Sequence, residues 1–229
     1  MFKEEAEFIG TILDGFSDDE LDPVLEIGAS TLSFRVSVKP HINENIHSKL
    51  FARGIRVIHS DFKPDPDIAN PEDQIIGDVF DEKIFKRMLD TKPKCILLCN
   101  ILEHVKNPKE LCERIMEISN EKTIIIVTVP FSFPYHRDPI DTLFRPSPEE
   151  LIKNFNDVEV IHKEIIEGSN FGEHLKKLNH AAAFIRLTKE ILKIFIHLVT
   201  FQIKRIKFSR ILWLRKNYAV SLVVLKKIN

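Results

Sequence analysis

Short apolar runs ending in glycine, an acid or proline alternate along this chain with segments whose apolar residues recur every three or four positions. Residues 4–16 put Phe8, Ile9, Ile12, Leu13 and Phe16 on one face of a helix. Pro23-Val24-Leu25-Glu26-Ile27-Gly28 is a short apolar run stopped by glycine, the pattern of a buried parallel strand. Residues 54–61 predict a second strand, ending in Asp61. Residues 62–78, rich in Pro and Asp, predict a loop that closes on Ile75-Ile76-Gly77-Asp78. A helix over 82–90 and a buried strand over 95–100 follow. Asn107-Pro108-Lys109-Glu110 then opens a helix, with Asn as N-cap, Pro at the first helical position and Glu three after the cap. The most β-branched stretch, 123–130, predicts a central strand ended by Pro130. Ser147-Pro148-Glu149-Glu150 repeats the capping signature before a helix to Phe155. A strand over 158–161, a mostly helical stretch over 173–215 and a closing strand over 218–225 complete the pattern.

Alternation of this kind implies the α/β class: a doubly wound, mostly parallel sheet covered on both faces, with a helical insertion before its last strand. On this reading residues 1–171 form the α/β core, 172–216 the insertion and 217–229 the last strand of the core sheet.

Composition narrows the function classes. With 44% apolar and 29% charged residues among 229, a folded core is expected and wholesale disorder is excluded. Cys95, Cys99 and Cys112 are too few for a disulfide framework and lack partners at zinc-ligand spacing, so no metal is expected. The first residues lack the pattern of a secretory signal, and no run of about 18 apolar residues exists. A reducing, cytoplasmic compartment is the expectation.

Charge divides the chain unevenly. Residues 186–216 hold nine Lys or Arg and one acid, Glu190, a balance of +8. Residues 217–229 add +2, which leaves −11 for residues 1–185 of a chain whose net charge is −1. Within the insertion, Arg186, Lys189, Glu190, Lys193, His197, Thr200, Lys204 and Lys207 fall on one helical stripe. Ile191, Leu192, Ile194, Phe195, Leu198, Phe201 and Ile206 face the other way, and Phe208 and Trp213 follow among basic residues. Three readings stand: a lid over the site, a homodimer contact, or a peripheral element on the inner face of an anionic membrane. Nucleic acid is disfavoured, because the rest of the chain is acidic.

In a doubly wound sheet, ligands bind at the carboxyl ends of the strands where strand order reverses. The residues there are Glu26, Gly28 and Ser30 after the first strand, Asp61 after the second, Asp78-Val79, then Asn100 to His104, and Pro130-Phe131. A glycine directly after a strand permits close approach of a ligand to the backbone. A carboxylate ending the next strand can accept from both hydroxyls of a ribose, and the pair Asp78-Val79 suits the amine and face of adenine.

In this order of residues the chain resembles the class I S-adenosylmethionine-dependent methyltransferases, which have a Rossmann-like fold. Val24 to Ser30 is similar to their first motif, and Cys99-Asn100-Ile101-Leu102-Glu103-His104-Val105 to a segment of the branch related to ubiquinone and menaquinone methyltransferases. Residues 130–149, with Tyr135-His136-Arg137-Asp138-Pro139-Ile140-Asp141 at their centre, resemble methyltransferases found with bacterial glycan and glycosyltransferase clusters. The resemblance implies S-adenosylmethionine as cofactor, with Glu26, Gly28 and Ser30 beside its methionine and ribose portions. It further implies Asp61 at the ribose, Asp78 and Val79 at the adenine, and Asn100 under the methionine end. It implies a saccharide or lipid-linked saccharide acceptor and a place in glycan biosynthesis. The family's further glycines are missing, since Ala29, Ser30 and Thr31 follow Gly28. That departure motivates one alternative, a catalytically silent binding or scaffold protein. A nicotinamide-dependent oxidoreductase is disfavoured by the lack of Gly-x-Gly-x-x-Gly. Because an alcohol acceptor benefits from a base, His136 is the first candidate for it and His104 the second.

Overall fold

The computed structural model describes residues 1–136, 140–201, 206 and 209–228. Of the residues singled out above, Arg137, Asp138, Pro139, Lys204, Lys207 and Phe208 lie outside the described residues.

One seven-stranded sheet organises the chain, in the order β3-β2-β1-β4-β5-β7-β6. Its strands are β1 (Val24–Ile27), β2 (Val57–Asp61), β3 (Gln74–Ile76), β4 (Cys95–Cys99), β5 (Ile124–Ser132), β6 (Val158–Asn170) and β7 (Asn217–Lys227). The first five run parallel, and β7 lies antiparallel between β5 and β6. The chain winds outward from β1 in one direction through β2 and β3, then returns to start again at β4. The crevice between β1 and β4 is therefore the switch point of the sheet.

Helices cover both faces of the parallel strands, which are accordingly buried and mostly apolar, with Glu26, His59, Ser60 and Thr128 among the polar exceptions. One core gathers Leu25, Ile58, Ile96, Ile125 and Val223 under α3 (Glu82–Asp90) and α4 (Pro108–Ile118). The other gathers Val24, Val57, Leu97, Ile126 and Leu222 under α1 (Lys3–Asp14) and the helical residues 40–52. On α1 the fully buried stripe is Glu5, Ala6, Ile9 and Leu13, with Phe8 and Ile12 at its edges.

β6 runs for 13 residues, far beyond the apolar stretch 158–161 that marked it in sequence. It is an edge strand, and exposed charged residues, Glu159, Lys163, Glu164 and Glu167, are spread over both of its faces. The apolar run of β7 alongside holds it in register from Val158 to Asn170. α5 (Pro148–Ile152) leads into β6, and between β6 and β7 come α6 (Phe171–Lys176), α7 (His180–Val199) and a 3-10 turn at Arg210–Trp213. No described helix is long and apolar enough to cross a membrane.

Candidate functional site

A cleft of about 520 Å³ opens at the carboxyl ends of β1, β2 and β3. That size is within the range of about 300–1,000 Å³ usual for small-molecule sites. Ala29, Ser30 and Thr31 form one wall, His59 and Asp61 the floor, and Gln74 to Ile76 the other wall. Thr31 caps α2 (Leu32–Ser37) by accepting from the Phe34 amide at 3.3 Å, which directs the chain away from the sheet. Asp65, nearly buried, closes the cleft: its Oδ2 accepts from the Leu32 amide at 2.6 Å and its own amide donates to Gln74 Oε1 at 2.8 Å. The Pro- and Asp-rich loop is thus tied through Asp65 to the start of α2 and to β3.

Of the residues the resemblance assigns to a cofactor, Ser30 and Asp61 line this cleft. Asp61 Oδ1 accepts from the Lys63 amide at 3.2 Å. Asp78 is exposed and accepts from the Phe80 amide at 3.0 Å, and Val79 is packed into the core with α3. Neither is part of the cleft wall, which near β3 is made by Ile75 and Ile76.

Glu26 turns inward instead. β1 and β2 pair so that Glu26 lies beside His59, and its Oε2 meets His59 Nδ1 at 2.8 Å. His47 Nε2 stands 3.5 Å from Oε1 and Arg35 Nη1 3.6 Å from Oε2. Burial raises the carboxyl, but the two histidines outweigh it and hold Glu26 well below the usual carboxylate range. Arg35, 1% exposed, also donates to the Ser30 carbonyl at 2.7 Å, so this buried cluster fixes the loop after β1. Its Nε finds no acceptor among the described residues.

Gly28 has φ +76° and donates its amide to the Ser60 carbonyl at 2.8 Å. A Cβ there would stand 1.9 Å from Ile101 Cδ1, so both the backbone angle and the space demand glycine. The side chain of Ile101 lies where a ligand on Gly28 would approach.

Beyond the switch point, the ends of β4 and β5 carry a second group of polar residues. Asn100, at φ +55°, donates through Nδ2 to Glu5 Oε1 at 2.6 Å, and Thr128 donates to the same oxygen at 2.7 Å. Glu5, fully buried on α1, is a site-adjacent residue that the sequence reading missed.

Next to them lie Glu103, His104, His136 and Asp141. His136 Nδ1 is 3.3 Å from Asp141 Oδ2, and Arg145 donates to that oxygen at 2.7 Å. Burial pushes the Asp141 carboxyl up, yet bonds from His136, Arg145 and the Leu143 amide prevail and hold it below the usual carboxylate range. The rings of His104 and His136 meet edge to face, 5.1 Å apart. His104 Nδ1 contacts the Ile140 carbonyl, and its Nε2 is 3.6 Å from Glu103 Oε1. Glu103 is fully buried, and neither carboxylate oxygen has a hydrogen bond among the described residues. Burial raises its carboxyl to about 7.

Two trios therefore bring ligand-type atoms within 4.8 Å of one another: Glu26, His47 and His59, and Glu103, His104 and His136. In the first the charges are already matched by Arg35. In the second, two histidines and a raised carboxyl form a group that can accept and pass a proton.

No protein-family model and no curated relative matches the chain. Solved structures do. Coclaurine N-methyltransferase bound to N-methylheliamine and SAH aligns over 98% of this chain and 70% of its own, at 16% identity and a TM-score of 0.52. A putative sarcosine dimethylglycine methyltransferase from Galdieria sulphuraria covers 98% of the chain and 85% of its own at 11% identity and a TM-score of 0.55. A SAM-dependent methyltransferase from Archaeoglobus fulgidus covers 97% and 94% at 13% identity and a TM-score of 0.50. The chain has the Rossmann-like methyltransferase fold. That likeness shows the fold alone, the Rossmann-like, mostly parallel sheet that the resemblance to the class I enzymes also implied.

Proposed function

We propose that this chain transfers a methyl group from S-adenosylmethionine to a hydroxyl of a saccharide or lipid-linked saccharide. The observation that carries the reading is Asp61 at the floor of a 520 Å³ cleft, at the carboxyl ends of β1 and β2 in a sheet of methyltransferase order. The residues present suit that cofactor. Asp61 offers a carboxylate to the ribose hydroxyls and Ser30 a hydroxyl beside them. Arg35, whose Nη1 donates to the Ser30 carbonyl at 2.7 Å, holds the loop that carries that hydroxyl. When bound, the cofactor supplies a methyl group already activated on a sulfonium.

The chain's own task is then to hold the acceptor in line, exclude water and take up a proton. Asp141, charged at neutral pH and clamped by Arg145, accepts from His136 Nδ1 and leaves Nε2 as the basic atom. His136 is the proton acceptor on this reading, with His104 and Glu103 beside it to pass the proton on. The saccharide acceptor follows from the likeness of residues 130–149 to glycan-cluster enzymes.

Two observations favour a catalytically silent binding protein: Ile101 over Gly28 and Glu5 on Asn100 fill space near the methionine end. Titration calorimetry with S-adenosylhomocysteine and with NAD separates the readings. Wild type should bind S-adenosylhomocysteine and not NAD. Asp61→Ala should weaken binding about tenfold or more, since two hydroxyls lose their acceptor. Unchanged affinity in a folded Asp61→Ala protein would remove Asp61 from the ribose site, and absence of wild-type binding would remove the cofactor.

A further inference from the structure

We infer that α7 is an interfacial anchor for an anionic lipid surface. A helix on a globular protein ordinarily turns its apolar stripe inward, and α7 does the reverse. Phe184, Ile191, Leu192, Phe195 and Val199, spaced so that they share one face, are each more than half exposed, and Phe201 just beyond the helix is 87% exposed. Arg186 and Glu190, one turn apart, lie on the opposite side, where Glu190 is buried and Arg186 half-buried. Arg186 Nη1 is bonded to His174 at 2.8 Å, and Glu190 is buried and holds Lys193 at 2.6 Å. The polar stripe seen in the sequence therefore partly serves the fold, while the apolar stripe is presented outward.

No described residue of this chain covers that face, and a contiguous apolar patch of this kind marks an interaction surface. Charge selects the occupant. Among described residues of 186–216, Arg186, Lys189, Lys193, Arg210, Arg215 and Lys216 stand against the single acid Glu190. A second copy, docked by a two-fold axis through this face, would bring the same positive segments together. An anionic bilayer offers apolar depth to the phenylalanines and negative head groups to the exposed Lys189 at the edge of that face, and the positive balance of the segment behind it adds a longer-range attraction. The absence of any described helix able to span a membrane fits a helix lying in the interface.

The inference is independent of the methyl-transfer reading, because its test has no catalytic step. The full chain is floated with vesicles of phosphatidylcholine and phosphatidylglycerol in equal parts, and with phosphatidylcholine alone. Binding should be confined to the mixed vesicles and fall as salt rises. Lys189→Gln and Arg215→Gln, both exposed, should each lower partitioning about fivefold. Phe184→Ser/Phe195→Ser should abolish it while leaving the circular dichroism spectrum intact, since neither ring is part of the core. Equal binding to neutral vesicles would overturn the role of charge. Failure to bind either vesicle would overturn the anchor. So would a dimer in sedimentation velocity that Phe184→Ser/Phe195→Ser dissociates, for then a second copy covers the face.

Discussion

Replacing Glu103 by glutamine tests the electrostatics of the second polar group directly. The carboxyl is fully buried, its oxygens have no hydrogen bond among the described residues, and burial raises it from an ordinary 4.5 to about 7. A carboxyl raised on folding binds more protons in the native than in the unfolded state between those two values. Its effect on stability is therefore absent below about pH 4.5, grows as the pH rises, and is complete above about pH 7. The sign is destabilising: the native state is penalised once Glu103 is charged. A difference of about 2.5 pH units corresponds to about 3 kcal/mol. Glu103→Gln keeps the shape and removes the ionisation. It should match wild type near pH 4.5 and exceed it by up to about 3 kcal/mol at about pH 8. With roughly 2.1 cal/mol/K of unfolding entropy per residue, that is about 6 °C in Tm. Calorimetric melting of both proteins without ligand from about pH 5 to about pH 8 reads the difference. A gap between the two that stays constant with pH refutes the reasoning.

Further outcomes follow from the same geometry. His136→Ala should lower turnover by roughly a hundredfold while S-adenosylhomocysteine affinity stays near wild type. Asp141→Asn should give a smaller loss with a shifted pH–rate profile, and activity lost to a chelator and restored by a divalent metal would refute the proton-acceptor role. Glu26→Gln leaves Arg35 buried beside a neutral group and should cost about 3–5 kcal/mol in urea unfolding at neutral pH. Because folding depresses the Glu26 carboxyl, its contribution is present above the ordinary value of 4.5 and is lost as the pH falls, so the gap should narrow in acid. Gly28→Ala meets both a left-handed φ and Ile101, and should lose about 1–3 kcal/mol. Adding Ile101→Ala should recover only the steric part, as thermal unfolding of the pair will show.

Four strands of the parallel half were legible as short, mostly apolar runs closed by Gly28, Asp61, Asn100 and Pro130, and Asp61 and Ser30 stand out because they lie at the ends of such runs. β3 was not, since its three residues sit in the Pro- and Asp-rich stretch expected to be loop. The long edge strand β6 was not, since exposed charged residues interrupt the apolar ones on both of its faces. Glu5, His47, His59 and Arg35 were not legible either. Each comes to the site through tertiary packing: Glu26 meets His59 only through the β1–β2 register, and Glu5 reaches Asn100 across 95 residues of chain. The outward turn of α7 was hidden for the same reason. Periodicity shows that a helix has two faces, but only packing says which one is turned to the protein.

The most direct test of the methyl-transfer reading is a crystal structure grown with S-adenosylhomocysteine. The ligand should occupy the cleft between the loop after β1 and the end of β2, with both ribose hydroxyls on the Asp61 carboxylate and the methionine end reached by displacement of Ile101 from Gly28. An empty cleft at saturating ligand, or a ligand bound away from Asp61, would contradict the account.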